Sequence, residues 1–173
     1  MRFGPKPVDG GTRLDFWAPD VESVALVAGG TKLPLAAARD GWWTVETGLG
    51  AGDAYAFELP GGLTVPDPAS RAQAGDVHGP SLVPEAIAAD PEWRGRPWAE
   101  TVLYELHVGT FTAEGTLEAA ARELAGLAAL GVTAVELMPL AGFSGERGWG
   151  YDGVLPYAVQ SSYGTPEDLA AFV

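Results

Sequence analysis

Val102-Leu103-Tyr104-Glu105-Leu106-His107-Val108-Gly109-Thr110-Phe111, and then Gly131-Val132-Thr133-Ala134-Val135-Glu136-Leu137-Met138-Pro139, decide the fold. The first stretch is a near-continuous apolar run, as expected of a parallel strand covered on both faces. Between the two, Thr116 is a predicted N-cap. Leu117, Ala120, Ala121, Leu124, Leu127 and Ala128 recur at three- and four-residue steps, which predicts an amphipathic helix ended by Gly131 at C′. Val132 to Met138 reads as a second buried strand stopped by Pro139. A strand, helix and strand in this order make a βαβ unit with parallel strands. Thr165, Pro166 and Asp168 then mark the start of a further helix, with Asp168 at the capping-box position.

Upstream the period changes to two. Arg13 to Trp17, Ser23 to Val27, Thr31 to Leu35, Trp42 to Thr47, Ala54 to Leu59 and Leu63 to Val65 read as short strands. They are separated by Gly29-Gly30, Asp40-Gly41, Gly48 to Gly52 and Gly61-Gly62, since glycine tolerates the positive φ of tight hairpins. The expectation is an immunoglobulin-like β-sandwich of about six strands over residues 1–83. Asp67 to Ser81, poor in large apolar residues, reads as an ordered loop, and residues 84–100 as a linker. Trp42 and Trp43 alternate, so one is expected to face the core and the other solvent, where it could meet starch or pack on the rest of the chain.

Residues 101–173 are then expected to be the opening of a TIM (β/α)8 barrel. The chain has 173 residues and a whole barrel takes about 250, so the barrel is expected to be truncated. In such barrels substrates meet the C-terminal ends of the strands and the loops after them. Two regions qualify, His107 to Gly115 and Ala141 to Gly164. The second holds Phe143, Trp149, Tyr151, Tyr157 and Tyr163 in a connection longer than packing requires. Aromatic faces pack on pyranose rings, and aromatics also pin loops; taken together these five favour a sugar site.

Candidate carboxylates are less decisive. Glu105 and His107 share a strand face and are expected beside Glu136 of the second strand, but mid-strand, which favours a structural hydrogen-bonded role over acid–base chemistry. Asp152 and Glu146 lie in the aromatic loop. An acid beside Gly153 can orient the loop or attack an anomeric carbon, and the sequence does not choose. No pair matches the roughly 5 to 9.5 Å spacing of a glycosidase.

Charge and composition narrow the partners. With 10 Lys+Arg against 23 Asp+Glu the net charge is −13, which repels phosphate backbones and anionic membranes and suits a neutral ligand. There are no cysteines and only two histidines, His78 and His107, so neither a disulfide framework nor a metal site is expected, and no cofactor is implied. Met1 to Pro7 lacks the apolar core of a signal peptide and no stretch reaches the roughly 18 apolar residues of a membrane span; a cytoplasmic protein is the expectation.

The two strand motifs resemble the alpha-amylase superfamily, glycoside hydrolase family 13. So do Pro66 to Arg71, Val77 to Ser81, and Arg147-Gly148-Trp149-Gly150-Tyr151-Asp152-Gly153-Val154 through Ser162-Tyr163-Gly164. The resemblance implies a glycogen-binding-type sandwich followed by the catalytic barrel. It also implies a tyrosine, here Tyr151, that stacks on the sugar where the bond is cut, with Trp149 and Asp152 as supporting substrate-binding residues. The catalytic carboxylates of the family fall on later strands, so none is expected within this chain, which alone is expected to be inactive. Among family members, Gly150-Tyr151-Asp152-Gly153 points to hydrolysis of the α-1,4 bond next to the trehalose end of malto-oligosyltrehalose, releasing trehalose. Branching enzymes usually carry Gln at the Asp152 position. A non-catalytic glucan-binding module is the alternative of another class.

Overall fold

The computed structural model describes residues 3–87 and 91–173. Ala88, Ala89 and Asp90 of the expected linker, and the first two residues, lie outside them. The N-terminal half is a run of short strands: β1 (Lys6–Val8), β2 (Gly11–Trp17), β3 (Ala25–Ala28), β4 (Thr31–Pro34), β5 (Ala36–Ala37), β6 (Trp42–Thr47), β7 (Ala54–Glu58), β8 (Thr64–Val65), β9 (Ala72–Gln73) and β10 (Ser81–Leu82). They form two antiparallel sheets, one in the order β1-β2-β6-β5 and one in the order β4-β3-β7-β10-β9, with β8 also paired to β7. Alternation fills the space between them. Leu14 and Phe16 of β2 and Leu26, Tyr55 and Phe57 of β3 and β7 are buried in one cluster. The rings of Phe16 and Phe57 meet at 4.4 Å across the sheets.

Ten strands replace the six expected. The segment read as a loop from Asp67 to Ser81 supplies β9 and β10 at the edge of the second sheet. Ladder hydrogen bonds need backbone groups and not large side chains, so Ala72 and Ser81 can pair while offering no apolar signal. Buried polar groups fix this segment. The Tyr55 hydroxyl donates to Asp67 Oδ2 at 2.7 Å, Ala69 N–H donates to Asp67 Oδ1 at 2.8 Å, and Asp67 N–H donates to Ser81 Oγ at 3.0 Å.

The tryptophan expectation is half met. Trp43 packs on the sandwich core and its Nε1–H donates to the Ala18 carbonyl at 3.0 Å. Trp42 is not outward: it is half-buried, with the Phe3 ring edge-on at 5.2 Å. Phe3 also stacks on Tyr157 at 6.4 Å, so the N-terminal segment bridges the sandwich and the second half of the chain.

The second half contains β11 (Leu103–Leu106), a helical turn α1 (Val108–Phe111), α2 (Leu117–Ala129), β12 (Ala134–Leu137), β13 (Ala141–Gly142), β14 (Leu155–Val159) and α3 (Pro166–Phe172). β11 and β12 are parallel, as the βαβ reading requires, and Glu105 pairs in register with Glu136. Thr116 caps α2 by accepting from Ala119 N–H, and Gly131 follows its C-cap at φ +99°. Thr165 and Asp168 form the expected capping box of α3, each side chain accepting from the other's backbone N–H.

Three expectations are corrected. The first strand does not run to Phe111, because Thr110 and Phe111 N–H turn back to the His107 carbonyl at 3.0 Å and close a helical turn. The two parallel strands are not covered on both faces: Leu106 is buried toward Leu117 and Val108, whereas Leu103, Tyr104, Glu105 and Glu136 are exposed, so the carboxylate pair is adjacent but not buried. Finally, the long connection after β12 is not a bare loop, since β13 and β14 pair within it as an antiparallel hairpin.

Candidate functional site

The hairpin is closed by one side chain. Gln160 is buried; its Oε1 accepts from Phe143 N–H at 2.9 Å and its Nε2 donates to the Gly145 carbonyl at 2.9 Å and to Ser162 Oγ at 3.1 Å. All three polar functions of the carboxamide that face protein are used, so the segment leaving β13 is tied to the segment leaving β14. Phe143 and Tyr163 pack edge-on at 5.9 Å beneath it, in the same buried cluster as Leu106 and Leu117.

What projects from this clamp is Gly148-Trp149-Gly150-Tyr151-Asp152. Gly148 is held from below: His107 Nε2 lies 2.8 Å from its carbonyl oxygen and the Tyr163 hydroxyl 3.3 Å from it. Gly150 is buried at φ +88°, where a side chain would run into the Pro139 carbonyl at the end of β12. The loop therefore rests on the C-terminal ends of both parallel strands. Beside it opens a cleft of about 920 Å³ whose lining includes His107, Gly109, Met138, Glu146, Trp149 and Tyr163.

The sequence-predicted residues divide. Trp149 is 75% exposed and lines the cleft. Tyr151 is 69% exposed on the same loop but outside the lining, and Asp152 is exposed beside it. The other aromatics of the segment do different work: Phe143 and Tyr163 are core, and Tyr157 faces Phe3 and the Arg71 guanidinium, 5.2 Å from its ring centre. The loop acid Glu146 lines the cleft and is exposed. Glu114, also at the cleft, is paired with Arg122 at 2.9 Å.

His107, expected on the strand face of Glu105 and at the start of the rim region His107 to Gly115, sits at the rim, following the last residue of β11. Its ring turns to the Gly148 carbonyl and not to Glu136, because strand alternation gives no direction to a residue where the chain turns helical. Tyr163 was visible only as one aromatic among five. Burial pushes the Tyr163 hydroxyl above its ordinary pKa, which keeps it a neutral donor. Among the described residues no three His, Asp or Glu side chains gather as metal ligands would, and no helix is long and apolar enough to cross a membrane.

No protein-family model matches the chain. A malto-oligosyltrehalose trehalohydrolase from Deinococcus radiodurans is 44% identical over 99% of this chain, and one from Saccharolobus solfataricus is 41% identical over all of it. The chain is homologous to malto-oligosyltrehalose trehalohydrolases. It spans 29% and 32% of the length of these two trehalohydrolases. A 1,4-alpha-glucan branching enzyme from Bacillus caldolyticus is more distant, at 32% identity over 99% of the chain and 30% of the enzyme. The crystal structure of a provisionally assigned alpha-amylase from Salmonella typhimurium superposes with a TM-score of 0.94 at 46% identity, over 99% of this chain and 30% of that one. A pullulanase from Bacillus acidopullulyticus, 22% identical, shares the fold at a TM-score of 0.78 over 97% of this chain and 26% of its own. The mostly-sheet fold therefore matches a fragment of alpha-amylase family enzymes, and the homologues are glycoside hydrolases of that family.

Proposed function

We propose that the chain is part of a cytoplasmic glycoside hydrolase that cleaves the α-1,4 bond next to the trehalose end of malto-oligosyltrehalose and releases trehalose. In this reading residues 1–83 are an immunoglobulin-like, glycogen-binding-type sandwich, 84–100 a linker, and 101–173 the opening of the catalytic (β/α)8 barrel. The cleft beside β11 and β12 receives the glucan. Trp149 and Tyr151 offer ring faces to its pyranose units, and Asp152 accepts from hydroxyls beside them. The observation that carries the proposal is the pair of exposed aromatic rings on a clamped loop at the strand ends. What sets these rings apart from the exposed Trp93 and Trp98 is their place on one loop at the strand ends beside the cleft, where an aromatic face can pack on a pyranose ring.

The carboxylates that break the bond are assigned to no residue of this chain. Glu114 is engaged by Arg122, and Glu105 and Glu136 lie within the strands and not at their ends. The 173-residue chain is expected to release no trehalose from malto-oligosyltrehalose; release would overturn that assignment. Binding is tested separately, by titrating maltotetraose and malto-oligosyltrehalose into the wild type, Trp149→Ala and Tyr151→Ala. Saturable binding that each substitution weakens by roughly tenfold supports the reading. Equal affinity in all three proteins removes it.

A further inference from the structure

We infer that His107 is a positioning residue for the binding loop: held in its Nε2–H tautomer, it fixes the Gly148 carbonyl and through it the rings of Trp149 and Tyr151. The consequence for ligand binding rests on the function proposed above; the geometry does not. His107 Nε2 approaches the Gly148 carbonyl oxygen to 2.8 Å. A bare ring nitrogen at that distance would set two lone pairs against each other, so Nε2 carries the proton and donates it. The Tyr163 hydroxyl, 3.3 Å from the same oxygen and 3.2 Å from Nε2, then donates to the carbonyl's other lone pair.

At the far side of the ring Nδ1 is buried with no partner among the described residues. Moving the proton there would gain no hydrogen bond at Nδ1 and would break the one to Gly148, so of the two neutral tautomers the contact at Nε2 selects the one protonated there. The site is also built for close approach. A Cβ on Gly109 would stand 2.9 Å from Tyr163 Cε1 and 3.1 Å from His107 Cε1, and a Cβ on Gly148 would stand 3.2 Å from the Phe143 ring. Glycine at both positions lets the imidazole, the phenol and the loop backbone meet.

The test uses the 173-residue chain labelled with 15N. Long-range proton–nitrogen spectra are expected to show a protonated Nε2 and an unprotonated Nδ1 for His107; the opposite tautomer would overturn the inference. Backbone amide relaxation over Gly148 to Asp152 is then compared in the wild type, His107→Leu and His107→Gln, because the Gln carboxamide nitrogen can stand in for Nε2. Leu is expected to loosen the loop and weaken maltotetraose binding about tenfold, and Gln to restore both. A loop as ordered in the Leu variant as in the wild type overturns the inference. If the wild type binds no maltotetraose, the proposed function falls while the relaxation comparison still decides the role of His107. If His107→Leu fails to fold, the wild-type tautomer and loop order in His107→Gln decide: an ordered Gln loop supports the role and a loosened one contradicts it.

Discussion

Gln160 Oε1 accepts a 2.9 Å hydrogen bond from the backbone N–H of Phe143, seventeen residues earlier. The same carboxamide reaches the Gly145 carbonyl and Ser162 Oγ, so one buried side chain sets the base of the candidate binding loop. Gln160→Leu would strand the Phe143 N–H and remove a donor from Gly145. The Phe143 N–H is buried and leaving it unpaired costs about 1–3 kcal/mol, whereas Gly145 is exposed and can turn to water, so denaturant unfolding should show a loss of about 1–3 kcal/mol. Gln160→Glu keeps an acceptor for Phe143 but has no donor for Gly145 and adds a buried charge, so it should not rescue. Stability equal to wild type in either variant would contradict the clamp.

Gly150 is predicted to tolerate no side chain. Its φ is +88° and a Cβ would meet the Pro139 carbonyl, a backbone atom that cannot rotate away. Gly150→Ala should displace Trp149 and Tyr151 and reduce maltotetraose affinity, whereas Gly145→Ala, at φ +83° with open space around it, should carry only the backbone cost of about 1 kcal/mol. Isothermal titration of both variants distinguishes steric from conformational effects; equal affinities would contradict the packing of Gly150 on Pro139.

The sandwich should unfold with opposite pH signatures at two buried acids. Burial raises the pKa of Asp15, but hydrogen bonds from Thr44, Lys6 and Arg13 and the Lys6 charge outweigh it and hold the carboxyl below its ordinary value of 3.8. Its stabilisation is present above that value and is lost as pH falls through the lowered one. Burial pushes Asp67 the other way, and hydrogen bonds from Tyr55 and Ala69 with the Arg71 charge offset it only in part. A raised pKa contributes stability that is full below 3.8 and lost as pH rises through the raised value. Urea unfolding of Asp67→Asn against wild type should therefore show a difference that shifts in favour of Asn as pH rises from the carboxylate range, then levels. A difference independent of pH would contradict the sign.

The core contact between the sheets is worth testing alone. Phe57 is fully buried against Phe16 at 4.4 Å, and truncating such a ring costs about 3–5 kcal/mol. Phe57→Ala should lower the unfolding midpoint accordingly, and a loss below about 1 kcal/mol would mean that the sheets do not pack through this pair.

Local signals were legible where chemistry is local. The turn at Asp40-Gly41 and the alternation after it mark β6 at its observed bounds, and Thr116, Gly131, Thr165 and Asp168 mark helix ends where the structure has them. Pairing between distant segments was not. β9, β10 and β13 are two residues each, too short to show a period of two, and β9 and β10 join the sheet only through the pairing of β10 with β7 earlier in the chain. The candidate site follows the same division. Trp149, Tyr151 and Asp152 stand out as a loop motif, but His107 and Gly148 are 41 residues apart. Nothing in either stretch announces that one holds the other.

The central claim is that an α-glucan binds at the rim formed by the ends of β11 and β12. Residue-resolved NMR of the 173-residue chain, titrated with malto-oligosyltrehalose, tests it most directly. The account predicts saturable shifts at the Trp149 indole N–H and the Tyr151 and Gly148 amides, with the exposed Trp17 and Trp93 indoles unmoved. No saturable shift at Trp149, or shifts confined to Trp17 or Trp93, would contradict it.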